Sequence, residues 1–183
     1  MIIRLLKNSF SLSNLQATDA IAYVEHLNDP MIHKTTENIP YPYTKEHALH
    51  WIQRHTDITN QYGKPHVLAI RNPQAQLIGS IGIGEMDGRH PHVAELGYWL
   101  ASSYWGQGIM TRAVKVFIDY AFTELGLLRL WTRVFEFNLR SRRVLEKNGF
   151  LLEGIQRQHL YRDGKLIDDY LYGLLKADLN RAA

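Results

Sequence analysis

The chain has 183 residues, 45% of them apolar and 21% charged, which fits one globular domain with a proper core. It contains no cysteine, so disulfides, thiolate nucleophiles and cysteine-based zinc sites are excluded. A net charge of +3 favours anionic ligands without calling for nucleic acid.

Met1 to Lys7 is too short and too interrupted for a signal peptide or a membrane span, so a cytoplasmic protein is expected. Residues 8–15 alternate polar and apolar in places and predict a first strand. Thr18-Asp19 offers an N-cap for a helix through about Leu27, and Asn28-Asp29-Pro30 breaks it. Thr35 to Thr44 contains Pro40 and Pro42 and cannot be a regular helix. Thr44 to His47 reads as a capped start of a second helix, running to Ile58 or Thr59 with Leu49, Ile52 and Trp51 facing inward. Strands follow at His66–Arg71, Gln76–Glu85 and His92–Leu100, with turns at Asn72-Pro73 and Asp87-Gly88.

Ile109 to Leu125 has apolar residues at 109, 113, 117 and 121 and predicts a helix capped by Gly126. Leu128–Phe135 reads as a strand. Asn138 N-caps a short helix, Leu139 to Asn148, which Gly149 closes. Ile155–Arg162 and Lys165–Leu175 pair as a hairpin about Asp163-Gly164. Helices, antiparallel strands, a βαβ crossover and a hairpin make a mixed α+β fold with one central sheet.

The stretch Tyr104 to Thr111 stands between the predicted strand and the predicted helix. Gly106 and Gly108 leave its backbone bare, and the first amides of a helix have no intrahelical acceptors. Such a turn can cradle a phosphate, with the helix dipole adding roughly 0.3–1 kcal/mol. The plain alternative is that the two glycines merely turn the chain.

Three stretches then line up in order: Ala94 to Leu100, Trp105 to Thr111, and Asn138 to Phe150. Together they resemble the GNAT superfamily of acetyl-CoA-dependent N-acetyltransferases, and within it the RimJ/RimL type that acts on ribosomal-protein N-termini. The resemblance covers about residues 66–176 well. Residues 18–59 fit as a helical segment on the acceptor side of a single acetyltransferase domain, 1–183. It implies a central mixed, mostly antiparallel sheet with splayed central strands, flanked by helices. It also implies that pantetheine pairs with the backbone of Trp99, Leu100 and Ala101. The pyrophosphate would then lie on the amides of Gln107, Gly108, Ile109, Met110 and Thr111, with Trp105 and Gly106 also binding the coenzyme. Asn138 matches the asparagine that bonds the pantetheine arm; it is also a plain helix cap. Met110 is bulkier than the family's usual residue and leaves less room beside the phosphates. Leu145 stands where many members carry a tyrosine acid, and leucine cannot donate a proton. Ser141 matches a serine proposed as its substitute in the RimJ/RimL type.

Acetyl transfer from a thioester to an amine needs a proton acceptor, donors for the oxyanion and a proton for the departing thiolate. It needs no acyl-enzyme, which suits a chain without cysteine. Glu95 is the candidate base, acting through water, and Ser141 the candidate acid; a backbone N–H around Leu100 would serve the oxyanion. The plain alternatives are a surface strand glutamate and a helix-start serine bonding backbone. Ile39, Tyr41 and Tyr43, in the loop that overhangs the acceptor site in this superfamily, and His92 are candidate acceptor contacts. His159 is a further candidate proton relay. His47-x-x-His50 lacks a carboxylate that would complete a zinc pattern, so no metal is expected.

The expected partners are acetyl-CoA and a protein N-terminal amine, with no nucleic acid or membrane and a monomer or homodimer as assembly. The alternatives are an acetyltransferase of a small amine (polyamine, antibiotic or amino acid) and a non-catalytic acyl-CoA-binding protein.

Overall fold

The computed structural model describes residues 2–5, 9–84 and 88–181, with the backbone alone for 2–5 and 180–181. Glu85 and the turn expected at Asp87 fall outside the described residues. The chain divides into two compact units, Met1–Gly82 with Gly97–Phe117, and Ile83–Leu96 with Ile118–Ala183.

In the first unit, β1 (Ile2–Leu5), β2 (Ser11–Ser13), β3 (Val67–Arg71) and β4 (Leu77–Ile83) pair antiparallel in that order. The end of β5 (Val93–Leu100) joins β4 where the Ala101 N–H donates to the Ile78 carbonyl at 2.8 Å. Helices α1 (Ala20–Leu27), α2 (Pro30–Thr35) and α3 (Lys45–Tyr62) supply the rest. Tyr23, Leu27, Ile32, Tyr43, Ile52 and Trp99 form one buried cluster. Arg71 is buried and bonds both carboxylate oxygens of Asp19, at 2.8 and 2.9 Å, fastening β3 to the residue before α1.

Three expectations need correction here. Asp29-Pro30 ends α1 but also starts α2: the Asp29 side chain accepts from the Met31 N–H at 2.8 Å, and proline fits the first helical position. In α3 the inward stripe is Ala48, Ile52 and His55, spaced by four and three, whereas Leu49 is 43% and Trp51 36% exposed. Thr44 and His47 form a reciprocal cap, each side chain accepting the other's backbone N–H at 3.2 Å. Gly63, at φ 71, stops the helix at Tyr62, later than the expected Ile58 or Thr59.

In the second unit the strand order is β5, β6 (Arg129–Phe135), β8 (Lys165–Leu175), β7 (Leu151–Arg162). β5 and β6 are parallel, with Val93–Glu95 set against Arg129–Trp131; the other pairs are antiparallel. Asp163 and Gly164 take φ 50 and 75, the two positive values a tight I′ hairpin turn requires. β7 begins at Leu151 rather than Ile155, because residues 151–154 pair with β8 across a bulge.

One face of these strands buries Leu130, Val134, Tyr172 and Leu174. Helix α5 (Leu139–Glu146) packs there. Its Leu145 is fully buried, and the Tyr172 hydroxyl donates to Glu146 at 2.9 Å and accepts from Arg142 Nε at 3.2 Å. The opposite face carries Arg129, Trp131 and Arg133. Helix α4 (Ile109–Thr123) follows the glycine turn. The fold is mixed α+β, with mostly antiparallel strands flanked by helices. Among the described residues no helix is long and apolar enough to cross a membrane.

Candidate active site

The glycine turn lies wholly in the first unit. A single 3-10 turn, Ser102–Tyr104, leads from β5 to Trp105, whose indole N–H donates to the Leu100 carbonyl at 2.7 Å. Gly106 (φ 77) and Gly108 (φ 69) both need the left-handed region, which glycine enters without a Cβ penalty. A Cβ at Gly106 would meet nothing within 4 Å, so the backbone there faces open space. α4 begins at Ile109, and its first amides lack acceptors within the helix.

Ile109 and Met110 turn their side chains into the protein, at 1% and 7% exposure, while Gly106, Gln107 and Gly108 are exposed. Burial thus takes up the bulk of Met110 expected beside the phosphates. Arg112 curls back over the turn. Its guanidinium donates to the Gln107 carbonyl at 3.3 Å and would lie 3.1 Å from a Cβ at Gly108. A residue four beyond the last glycine, on the first turn of a helix, was the signal that could have found this cation. Chemically, the arrangement offers an anion a bare backbone, a helix N-terminus and one arginine.

Trp99, Leu100 and Ala101 are buried at the end of β5. The Ala101 N–H is occupied by Ile78, so alternation turns the N–H and carbonyl of Leu100 to the other edge of the strand. Trp99 packs on Tyr23 at 5.4 Å and His26 at 6.2 Å between ring centres. Of the expected acceptor contacts, Tyr43 is a core residue. Asn28 clamps its backbone, accepting from its N–H at 2.9 Å and donating to its carbonyl at 2.8 Å. Burial pushes its phenol up to about 12. Ile39 is partly buried against the same cluster, and Tyr41 is 47% exposed, stacked on His33 at 4.2 Å.

Glu95, His92, Asn138 and Ser141 belong to the second unit. Val93, Arg129, Trp131, Arg133, Gln156 and Leu171 line a cleft of about 370 Å³ on the open face of the strands. Glu95 is on that face by alternation with Val93, and Arg133 Nε approaches its carboxylate at 3.8 Å. Arg129 holds Glu153 in a two-pronged pair at 2.6 and 2.5 Å, which pulls the Glu153 carboxyl below its ordinary range. His92 is exposed immediately before Val93, and its carbonyl accepts from Leu128 and Arg129. Asn138 does cap α5: its side-chain oxygen accepts from the Ser141 N–H at 3.2 Å. That leaves its amide nitrogen as a donor. Glu95 thus stands on the cleft face, while the helix carrying Ser141 packs on the opposite one. Among the described residues no group of three or more potential metal ligands converges.

The family described as an acetyltransferase (GNAT) domain matches residues 10–151. The chain belongs to the GNAT acetyltransferase family. The uncharacterized N-acetyltransferase p20 of Bacillus licheniformis is 30% identical to this GNAT enzyme over 92% of this chain and 93% of that one. The ribosomal-protein-serine acetyltransferase of Escherichia coli is 33% identical over 53% of this chain and 54% of its own. Among solved structures, the ribosomal alpha-N-protein acetyltransferase RimL in complex with coenzyme A superimposes with a TM-score of 0.82. It is 22% identical, and the match covers 96% of this chain and 98% of RimL. The GNAT assignment makes the protein an acetyltransferase.

Proposed function

We propose that this GNAT enzyme transfers acetyl from acetyl-CoA to the α-amine of a protein N-terminus. The observation that carries the coenzyme half is the glycine turn before α4. Its exposed backbone and Arg112 suit the pyrophosphate, and the Asn138 amide is free of its capping duty to bond the pantetheine arm. The acceptor half draws on the likeness to enzymes named for ribosomal proteins and on the cleft. That cleft is open to solvent and lined in part by Trp131, which would suit an extended chain end.

A polyamine fits it less well. Two of its six lining residues are arginines, and the carboxylates beside them, Glu95 and Glu153, are already engaged by those cations.

In this reading the amine nitrogen attacks the thioester carbon. Glu95 takes the proton released on attack through a water, the Leu100 N–H faces the oxyanion, and Ser141 supplies a proton to the departing sulfur. The test is thiol release from acetyl-CoA, measured side by side with peptide N-termini, polyamines and aminoglycosides. Turnover confined to peptides supports the proposal. Turnover with polyamines alone would replace the acceptor, and coenzyme binding without any turnover would make the chain an acyl-CoA-binding protein.

A further inference from the structure

Asp169 is fully buried, yet it lies on the cleft face of the second unit. It shares its β8 face with Leu171, two residues along, and its cross-strand partners are Phe135 of β6 and Gln156 of β7. Both Leu171 and Gln156 line the cleft. One carboxylate oxygen of Asp169 has no hydrogen-bond partner. The other meets Nδ1 of His159 at 2.9 Å, and the His159 side chain is 38% exposed.

A buried carboxylate left half satisfied is costly unless it serves something. The chain also distorts itself to bring the histidine there. Between Gln156 and Leu160 the register of β7 slips, and Gln158 takes φ 51, outside the range most side chains adopt. The Asp168 carboxylate fixes that bulge by accepting from the Gln158 N–H at 2.7 Å. Bulges of this kind re-aim a side chain beside a site. A buried carboxylate that holds one ring nitrogen leaves the other as the working atom.

We propose that His159, positioned by Asp169, deprotonates the arriving ammonium and passes the proton to solvent. The inference rests on the amine-acetylation reading above. An ammonium group that becomes an amide loses two protons. The first must leave before attack, because the nitrogen has no lone pair until it does. Here it goes to His159 Nε2 and from that half-exposed ring to water. The free amine's lone pair then forms the C–N bond. The second proton leaves nitrogen for Glu95 by way of water, the C–S bond breaks with its electron pair on sulfur, and the sulfur is protonated to the thiol. Glu95 and His159 thus handle different protons.

The experiment compares His159→Gln with wild type on two acceptors. One is a peptide N-terminus, which is largely protonated near pH 7. The other is a weakly basic amine such as trifluoroethylamine, which arrives as free base. The expected result is a kcat roughly 10²-fold lower with the peptide, an unchanged KM for acetyl-CoA, and little loss with the weak amine. Added imidazole should restore part of the peptide rate in His159→Ala. Asp169→Asn should show the same split between acceptors, with a smaller loss.

Equal losses on both acceptors would reduce the pair to a structural contact, and no loss on either would remove it from the reaction. If wild type acetylates neither, the amine-acetylation reading falls and takes this proposal with it. If wild type turns over and His159→Gln matches it, the proposal falls alone.

Discussion

The indole nitrogen of Trp105 is bonded to the carbonyl of Leu100 at 2.7 Å, across five residues of chain. This single bond ties the start of the glycine turn to the last residue of β5. Trp105→Phe keeps much of the packing and removes the donor. Loss of a neutral hydrogen bond costs about 0.5–1.5 kcal/mol, so calorimetry should show acetyl-CoA binding roughly 2–12-fold weaker. Wild-type affinity in the variant would mean that the turn holds its shape without this bond.

Gly108→Val should abolish coenzyme binding. The residue sits at φ 69, and even a Cβ there would press on Arg112 Nη1 at 3.1 Å. A β-branched side chain adds bulk where an anion must approach. Gly63→Ala is the control, since Gly63 has a similar φ of 71 and nothing within 4 Å. It should lose about 1 kcal/mol of stability and keep its affinity. Unchanged acetyl-CoA binding in Gly108→Val would remove the phosphate assignment.

Asn138 has one duty as the cap of α5 and a proposed second one on the coenzyme, and the two are separable. Asn138→Asp keeps the oxygen that accepts from Ser141 and removes the amide donor. Asn138→Ala removes both and should cost about 0.5–2 kcal/mol of stability. If the amide bonds the pantetheine arm, KM for acetyl-CoA rises in both variants although only the alanine form melts earlier. A rise in KM confined to the alanine form would leave Asn138 as a cap alone.

Much of this architecture is legible in the sequence because the signals are local. The Asp163-Gly164 turn, the Thr44 cap, the Asn138 cap and Gly149 at φ 83 each follow from a few neighbouring residues. What was missed depends on distant partners. The strand Ile2–Leu5 is too short to announce itself and exists by pairing with β2. Residues 151–154 become strand because β8 lies beside them. Tyr43 looks like a loop aromatic until Asn28, fifteen residues away, clamps it into the core. Asp169 reads as a polar strand residue; its burial against His159 is set by a bulge that no pattern of residue types displays.

Glu95→Gln tests the cleft side of the reaction. It removes the proton acceptor and weakens the contact with Arg133 at 3.8 Å. The expected kcat is lower by about 10²–10⁴, with coenzyme binding intact. Near-full activity at neutral pH would hand the second proton to water.

The buried phenol of Tyr43 predicts an alkaline weakness. Burial raises it from 10.0 to about 12. Between those values the folded chain keeps a proton that the unfolded chain releases. The contribution, about 2–3 kcal/mol, is therefore whole below pH 10 and lost as pH climbs through 12. Melting temperatures of wild type should fall more steeply than those of Tyr43→Phe across that window. Tyr23, raised chiefly by burial and in smaller part by Tyr43 itself, adds a loss of the same direction to both proteins. Parallel curves would contradict the assignment.

Each compact unit is assembled from two separated stretches of chain, and this sets a timetable during synthesis. When Gly82 leaves the ribosome, the first unit still lacks Gly97–Phe117, which includes the strand end that satisfies Ile78 and the whole glycine turn. Those residues follow roughly 2–7 s later at 5–20 residues per second. Until then β4 presents an unpaired edge, and the nascent chain is most open to wrong pairing before the turn proposed to bind the coenzyme has been made.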